Sequence, residues 1–283
     1  MGGEHFVLRA RGRKHYVRDF AGPLSIKTVI DGRVGWKTGG QEVLVDECSF
    51  LVLNEGEPYS MEIDVRVPVR TCCVFFRQGF VEQVFRSMVC SDEGLLDQPE
   101  LNTEGIPFLS RLHFRDERVM PRMMAIAASG DASSMWLDEQ YLLLARDLVF
   151  LYQEAQRQVR RLPAARAGTR REIFGRVERA REFMHAFSGE ALRLDEIAKA
   201  ACLSTYHFHR MFSVALGESP HSYLTKLRME RARFLLGRGL PVTEVCGLVG
   251  FESPGSFSTL FRKKFGVPPS EIRKIREAGS VAG

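Results

Sequence analysis

Two short stretches in the last third of the chain set polar side chains against a ladder of phenylalanines. In the first, Phe208 and Phe212 stand four apart with Met211 beside them, which marks a buried helical face, while Tyr206, His209, Arg210 and Ser213 fall on the other side. In the second, Phe257, Leu260, Phe261 and Phe265 form the apolar stripe, and Ser256, Thr259, Arg262, Lys263 and Lys264 point away from it. Hydroxyl, imidazole, guanidinium and ammonium groups arranged this way can donate hydrogen bonds to a row of acceptors. Covalent chemistry has no matching constellation: there is no HExxH, no Gly-rich phosphate loop, no nucleophile-elbow serine and no C-x₂-C. His207 and His209 diverge by about 200° on a helix and suit no shared ion. His5 and His15 are too few for a metal-holding barrel. No enzyme activity, metal or cofactor is expected.

The elements that carry these faces belong to an internal repeat. Glu196-Ile197-Ala198 recurs 48 residues later as Glu244-Val245-Cys246; after one inserted residue, Ser204, Phe208, Phe212, Gly217 and Pro220 recur as Ser253, Phe257, Phe261, Gly266 and Pro269. Each unit reads as a short helix, a tight turn and a second helix, with Ser204 and Ser253 placed as N-cap hydroxyls. Pro254 follows the second cap at the first helical position. Ser219-Pro220 opens a joining helix to about Leu236 with an apolar face of Leu224, Leu227 and Leu235, closed by Gly237, Gly239 and Pro241. Two helix-turn-helix units on a rigid connector would present two major-groove readers about 34 Å apart. Charge agrees: residues 1–168 hold 21 Lys and Arg against 23 Asp and Glu, a net of −2, whereas residues 169–283 hold 19 against 12, a net of +7. A polyanionic partner is expected for the second half.

The residues Ile197-Ala198 through Phe212, then Gly217, Pro220, Tyr223, Arg228, Ala232, Leu235-Leu236, and the closing run GFESPGSFSTLFRKKFGVPPSEIR resemble the AraC/XylS family of bacterial transcription regulators, over about 190–275. The resemblance implies double-stranded DNA as partner and base contacts at Tyr206, His209 and Arg210. Arg210 is the strongest single candidate, because a guanidinium can bind guanine O6 and N7 together. Ser256 and Thr259 are the base-contact candidates of the second unit; Ser204, Ser213, Ser253, Arg262, Lys263 and Lys264 are the phosphate candidates. Two departures weaken the second reader: Pro254 and Gly255 stand where long polar side chains often sit, and Pro241 replaces a capping hydroxyl. Sequence discrimination is therefore expected mainly from the first unit.

The first half alternates apolar and polar residues over 5–78, a strand pattern of six or seven short segments and hence a β-sandwich or small barrel. The expected strands are Leu24–Ile30 and Val34–Thr38, read as a hairpin around Asp31-Gly32, then Gln41–Val45 after Gly39-Gly40, Cys48–Leu53, Tyr59–Val65 and Val69–Phe76. Arg9, Arg11, Arg13 and Lys14 read as a basic arm before the barrel. Helices are expected over Phe80–Met88, Asp116–Ala128 and Ser133–Arg161. In the last of these Leu137, Tyr141, Leu144, Leu148, Leu151 and Ala155 recur at steps of four and three, a heptad seam expected to serve a homodimer, with packing on the barrel as the competing role. Trp36, Phe50, Tyr59 and Phe75 are candidates to line an effector pocket or to fill the core. Cys72-Cys73 on a strand points to both faces, in a buried structural role or as a thiol sensor.

The expected fold class is α+β: a cupin-like barrel over 1–110 for an effector, a helical connector and dimerisation segment over 111–161, a linker over 162–168, and an all-helical double helix-turn-helix domain over 169–283. Six cysteines without disulfide or zinc spacing, and a charged N-terminus, point to a reducing cytoplasm and no membrane. The expected function is an effector-responsive regulator, with RNA polymerase as a further partner. The alternatives are a constitutive DNA-binding protein whose barrel only dimerises, and a repair enzyme carrying the same DNA-binding unit, which the cysteine pattern disfavours.

Overall fold

The computed structural model describes residues 4–89, 105–109, 111–114 and 116–272. Two compact units emerge, Met1–Gly175 and Arg176–Gly283. In the first, β1 (Phe6–Ala21), β2 (Ser25–Asp31), β3 (Arg33–Thr38), β4 (Gln41–Asp46), β5 (Ser49–Leu53), β6 (Pro58–Phe75) and β7 (Leu112–Phe114) make one antiparallel sheet. Its spine is β6. One edge of β6 carries β1 along its whole length; the other carries β3 opposite Tyr59–Met61 and β2 opposite Arg70–Phe75. The ladder runs β4-β3-β6-β2-β5-β7, and its curl sets β4 beside β5, so the sheet nearly closes into a barrel.

Three expectations change. Asp31-Gly32 makes no hairpin, because β2 and β3 never pair with each other and both run antiparallel to β6. Gly32, at φ +97°, kinks one continuing path, and a Cβ there would meet Val69 Cγ1 at 2.7 Å. The two-residue hairpin is Gly39-Gly40, at φ +57° and +75°, closing the Thr38–Gln41 pair of β3 and β4. Secondly, Arg9 to Lys14 are no loose arm. They lie in β1, whose polar outward side made a strand look like a tail. Thirdly, the two strands expected on either side of Pro68 are one, β6, which bulges at Val65–Pro68 between the pairs Lys14↔Asp64 and Gly12↔Val69.

The sheet buries both faces. Val34, Trp36, Val43, Val45, Leu51, Leu53, Tyr59, Met61 and Ile63 fill the inner side. Ile26, Phe50, Val52, Cys72 and Val74 face outward, onto helices α1 (Phe80–Val89), α2 (Val119–Ala128) and α3 (Ser134–Arg161). The helix α3 is capped by Ser133, whose Oγ accepts from Trp136 N at 3.3 Å. Its heptad residues Tyr141, Leu144, Leu148 and Leu151 are buried in this same core, with Leu137 packed at its margin. The seam proposed for a dimer is thus consumed by the barrel, since the sheet's outer apolar face needs a cover more than the helix needs a twin. Asp147, buried within α3, is held by Arg122 Nε of α2 at 2.8 Å. No described helix is long and apolar enough to cross a membrane.

The second unit is helical: most of α4 (Ala167–Ala186), then α5 (Leu194–Ala200), α6 (Thr205–Leu216), α7 (Pro220–Gly237), α8 (Val242–Leu248) and α9 (Pro254–Phe265). Only 163–166 lie between the cap of α3 at Leu162 and the start of α4, a shorter joint than the 162–168 read from the sequence.

Candidate nucleic-acid interface and barrel interior

The two helix-turn-helix units stop their first helices in the same way. Leu203 N donates to Ala198 O at 3.0 Å and Cys202 N to Lys199 O at 2.9 Å; Phe251 N donates to Cys246 O and Gly250 N to Gly247 O, each at 3.0 Å. This pair of bonds requires a left-handed residue, supplied by Cys202 at φ +52° and Gly250 at φ +75°. The 48-residue offset therefore holds through Phe251, and the inserted residue is Glu252. Next come the serine caps, Ser204 Oγ accepting from His207 N at 3.3 Å and Ser253 Oγ from Ser256 N at 3.4 Å. Both second helices end on left-handed glycines, Gly217 and Gly266. The units differ at the start: Glu196 Oε2 accepts from Arg193 N at 2.8 Å, whereas in the second unit the N-cap is Pro241, which has no N–H for Glu244 to accept and makes no side-chain cap.

These caps and stops aim the outward faces. On α6, Phe208, Met211, Phe212 and Ala215 are buried, and Tyr206, at 78% exposed, His209 and Arg210 stand in solvent. Ser213 differs from expectation, because its Oγ is buried without a hydrogen-bond partner and presents nothing to a phosphate. On α9, Ser256, Thr259, Arg262 and Lys263 are exposed. Lys264 is engaged internally: its Nζ pairs with Glu230 Oε1 at 2.9 Å and donates to Lys226 O at 3.3 Å, tying α9 to α7. Leu260, assigned to the apolar stripe, is 37% exposed and turned to the side of Ser256 and Lys263. Sequence reasoning missed it there because Phe257, Phe261 and Phe265 alone complete the buried stripe; the four-residue step from Ser256 was the available signal. The hydroxyls of Ser204 and Ser253 accept backbone amides as caps and retain a proton to donate.

Behind the readers, Arg181 bridges Glu178 and Tyr223. Its Nη1 lies 2.7 Å from Glu178 Oε1 and its Nε donates to Tyr223 Oη at 3.2 Å. Burial opposes the Arg181 charge, and Glu178 with Tyr223 outweighs it, holding the guanidinium pKa above its ordinary range. Arg228 donates Nε to Ser188 O at 2.8 Å and Nη2 to Glu190 O at 2.5 Å, fastening α7 to the turn after α4.

The barrel interior has one feature the sequence did not flag. Lys27 is 1% exposed, with Nζ 3.2 Å from Tyr59 Oη and 3.6 Å above the Phe75 ring. Across the ladder its partners are Leu51 and Cys73, and no described carboxylate pairs with it. Burial pulls the amine down to about 8 and pushes the Tyr59 phenol up to about 12. Of the pocket candidates, Trp36 and Tyr59 belong to the inner side and Phe75 lies under Lys27. Phe50 does not join them; it points into the helix layer and stacks on His113 at 4.9 Å. Cys72 also faces the helices, its thiol pushed up to about 12 by burial, while Cys73 faces inward opposite Lys27.

A family model described as a helix-turn-helix domain matches residues 197–275. Among curated proteins, the chain is 32% identical over 99 residues to the Msm operon regulatory protein of Streptococcus mutans, covering 35% of this chain and 36% of that protein. It is 40% identical over 90 residues to the transcriptional activator RhaS of Escherichia fergusonii, covering 31% and 32%. A solved AraC-type transcriptional regulator from Chromobacterium violaceum is 31% identical, over 39% of this chain and 96% of that one, with a TM-score of 0.35. The chain spans about a third of the length of the curated relatives it matches. Residues 197–275 thus form a helix-turn-helix domain of the AraC type, as the sequence resemblance implied.

Proposed function

We propose that the protein is a sequence-specific, DNA-binding transcription regulator that reads two adjacent major-groove segments with α6 and α9. The observation that carries this reading is the duplicated helix-turn-helix, each second helix capped by serine, stopped by glycine and presenting polar side chains to solvent. Tyr206, His209 and Arg210 read base edges. Ser256 and Thr259 contact bases more weakly, with exposed Leu260 suited to a thymine methyl. Ser204, Ser253, Arg262 and Lys263 hold phosphates. The protein acts in the cytoplasm, where its DNA and RNA polymerase are.

The barrel is the effector-binding half. Lys27 supports this: a buried ammonium without a carboxylate is costly unless something other than folding uses it. Thermal-shift screening of the full chain against small metabolites tests this part, and a Lys27→Met chain that retains every shift would count against Lys27 as the anchor.

Selection of bound duplexes from a random pool tests the DNA reading. The wild-type chain is expected to enrich one motif, Arg210→Ala to lose preference at one base position by about 10- to 100-fold, and Ser256→Ala/Thr259→Ala to change preference less. Equal relaxation by both would overturn the unequal roles of the two units, and no enrichment at all would overturn sequence-specific reading.

A further inference from the structure

The outward side of β1 carries Arg9 and Arg11 at alternate positions, so their side chains leave the same face of the strand about 7 Å apart, and Arg13 follows in the register shift between Gly12 and Lys14. All three are exposed, as are Arg66 in the β6 bulge and Arg70. Arg9 is partly committed: its Nε and Nη2 donate to Ile126 O at 3.0 and 2.9 Å, and Nη2 donates to Ser129 Oγ at 2.8 Å, pinning the strand to the end of α2. Arg11 lies directly opposite Arg70 in the ladder. With Arg9 they rim a depression of about 180 Å³ floored by Ile30 and Ala127.

Like charges directly opposite one another weaken a ladder. Two carboxylates stand nearby along it: Asp31 is the β2 partner of Arg70, and Asp64 is 3.7 Å from Lys14. Among the described residues, none lies within 4 Å of Arg11, Arg13, Arg66 or Arg70. A run of exposed guanidiniums without a carboxylate within ion-pair distance can hold an external anion. Its repetition along the strand matches a chain of anions better than a single one.

We propose that this outward face of the β1/β6 ladder, Arg9, Arg11 and Arg13 with Arg66 and Arg70, is a second DNA-backbone surface, separate from the helix-turn-helix helices. Only the identity of the polyanion rests on the DNA-binding reading of the second half. Its expected contribution is affinity through phosphates, without sequence preference.

The test is the salt dependence of binding by the full chain to a long random-sequence duplex. Removing one arginine–phosphate pairing should lower the slope of log K against log salt by about 0.9, so Arg11→Gln/Arg13→Gln/Arg66→Gln/Arg70→Gln should lower it by about 3 to 4. The same four positions changed to Lys should keep the wild-type slope, and an unchanged melting temperature shows the fold intact. An unchanged slope in the Gln variant overturns the proposal. If Arg262→Gln/Lys263→Gln lowers the slope and the ladder variant does not, the helix-turn-helix reading stands and the ladder surface falls. If the wild-type chain fails to bind duplex even at low salt, the underlying reading fails as well. Inorganic phosphate that raises the melting temperature of the wild type alone, with coinciding DNA slopes, would make the face a site for one small phosphate and overturn the polyanion. Binding to phosphatidylserine vesicles that the variant loses, with DNA slopes unchanged, would overturn it in favour of a membrane surface.

Discussion

At the residue scale, the two left-handed stops make a natural experiment. Gly250 adopts φ +75° at no steric cost, and a Cβ there would sit 3.0 Å from both Gly189 O and an Arg228 guanidinium nitrogen. Cys202 occupies the same place in the first unit with a side chain that disfavours it. Cys202→Gly is therefore expected to stabilise the fold by about 1 kcal/mol, and Gly250→Ala to destabilise it by about 1–3 kcal/mol. Urea midpoints read at constant m-value check both, and a Cys202→Gly chain less stable than wild type would mean the thiol has a role the turn geometry does not require. Much of this geometry was legible in the sequence: the serine caps and the outward Tyr206, His209 and Arg210 follow from spacing. Ser213, Lys264 and Leu260 were not, because whether a side chain at the edge of a helical face turns in or out depends on the neighbouring helix, which periodicity does not describe.

At the scale of elements, α3 carries a firm correction. Its heptad repeat is real, but a heptad records that a helix has an apolar stripe, not what covers it. Here the stripe is buried in one core with Ile26, Phe50, Val52 and Val74 of the sheet. Leu144→Lys/Leu151→Lys should thus unfold the barrel half rather than dissociate a dimer. The apolar residues of α3 left in solvent are Met135, at 79% exposed, Leu142, at 51%, and Phe150, at 36%. They are symmetric about the point between Leu142 and Leu143: an antiparallel copy would set Met135 against Phe150 and exposed Glu139 against exposed Arg146. If the protein is a homodimer through this helix, Leu142→Glu/Phe150→Glu should sediment as a folded monomer. A folded variant that keeps the wild-type oligomer would exclude that face. The strands were legible as strands and Gly39-Gly40 as a turn, yet the pairing was not. Asp31-Gly32 permits positive φ whether the chain reverses or only kinks, and the choice lies with β6, whose length was hidden by the Pro68 bulge.

At the scale of the whole molecule, Lys27 couples stability to pH. Its folded pKa of about 8 lies below the ordinary 10.5, so under pH 8 the ammonium is present in folded and unfolded chains alike and the folded state bears the full cost of burying it. Between about pH 8 and 10.5 the unfolded chain holds more protons, and this group's contribution to stability rises with pH. Lys27→Met should therefore be more stable than wild type at pH 7, with the difference shrinking by roughly 3 kcal/mol by pH 10.5. Tyr59 and Cys72, raised by burial, titrate in the opposite sense in both proteins and largely cancel in the comparison. Urea unfolding at several pH values measures it, and a constant difference would mean that Lys27 is not desolvated in solution. The acid–base asymmetry of the halves was visible in the composition and the basic run of residues 9–14 in the sequence, but neither placed that run on a strand nor the lone amine inside the barrel.

The position of Glu252 bears on descent. Both turns keep the same two closing bonds up to Leu203 and Phe251, and the extra residue enters only after the stop is complete and before the serine cap begins. At that point a residue can be gained or lost without breaking a backbone hydrogen bond of either helix. Duplicated units of this kind are free to drift in length there and nowhere else between the closing bonds and the cap, so insertions and deletions between the ancestral copies should have accumulated at that one joint.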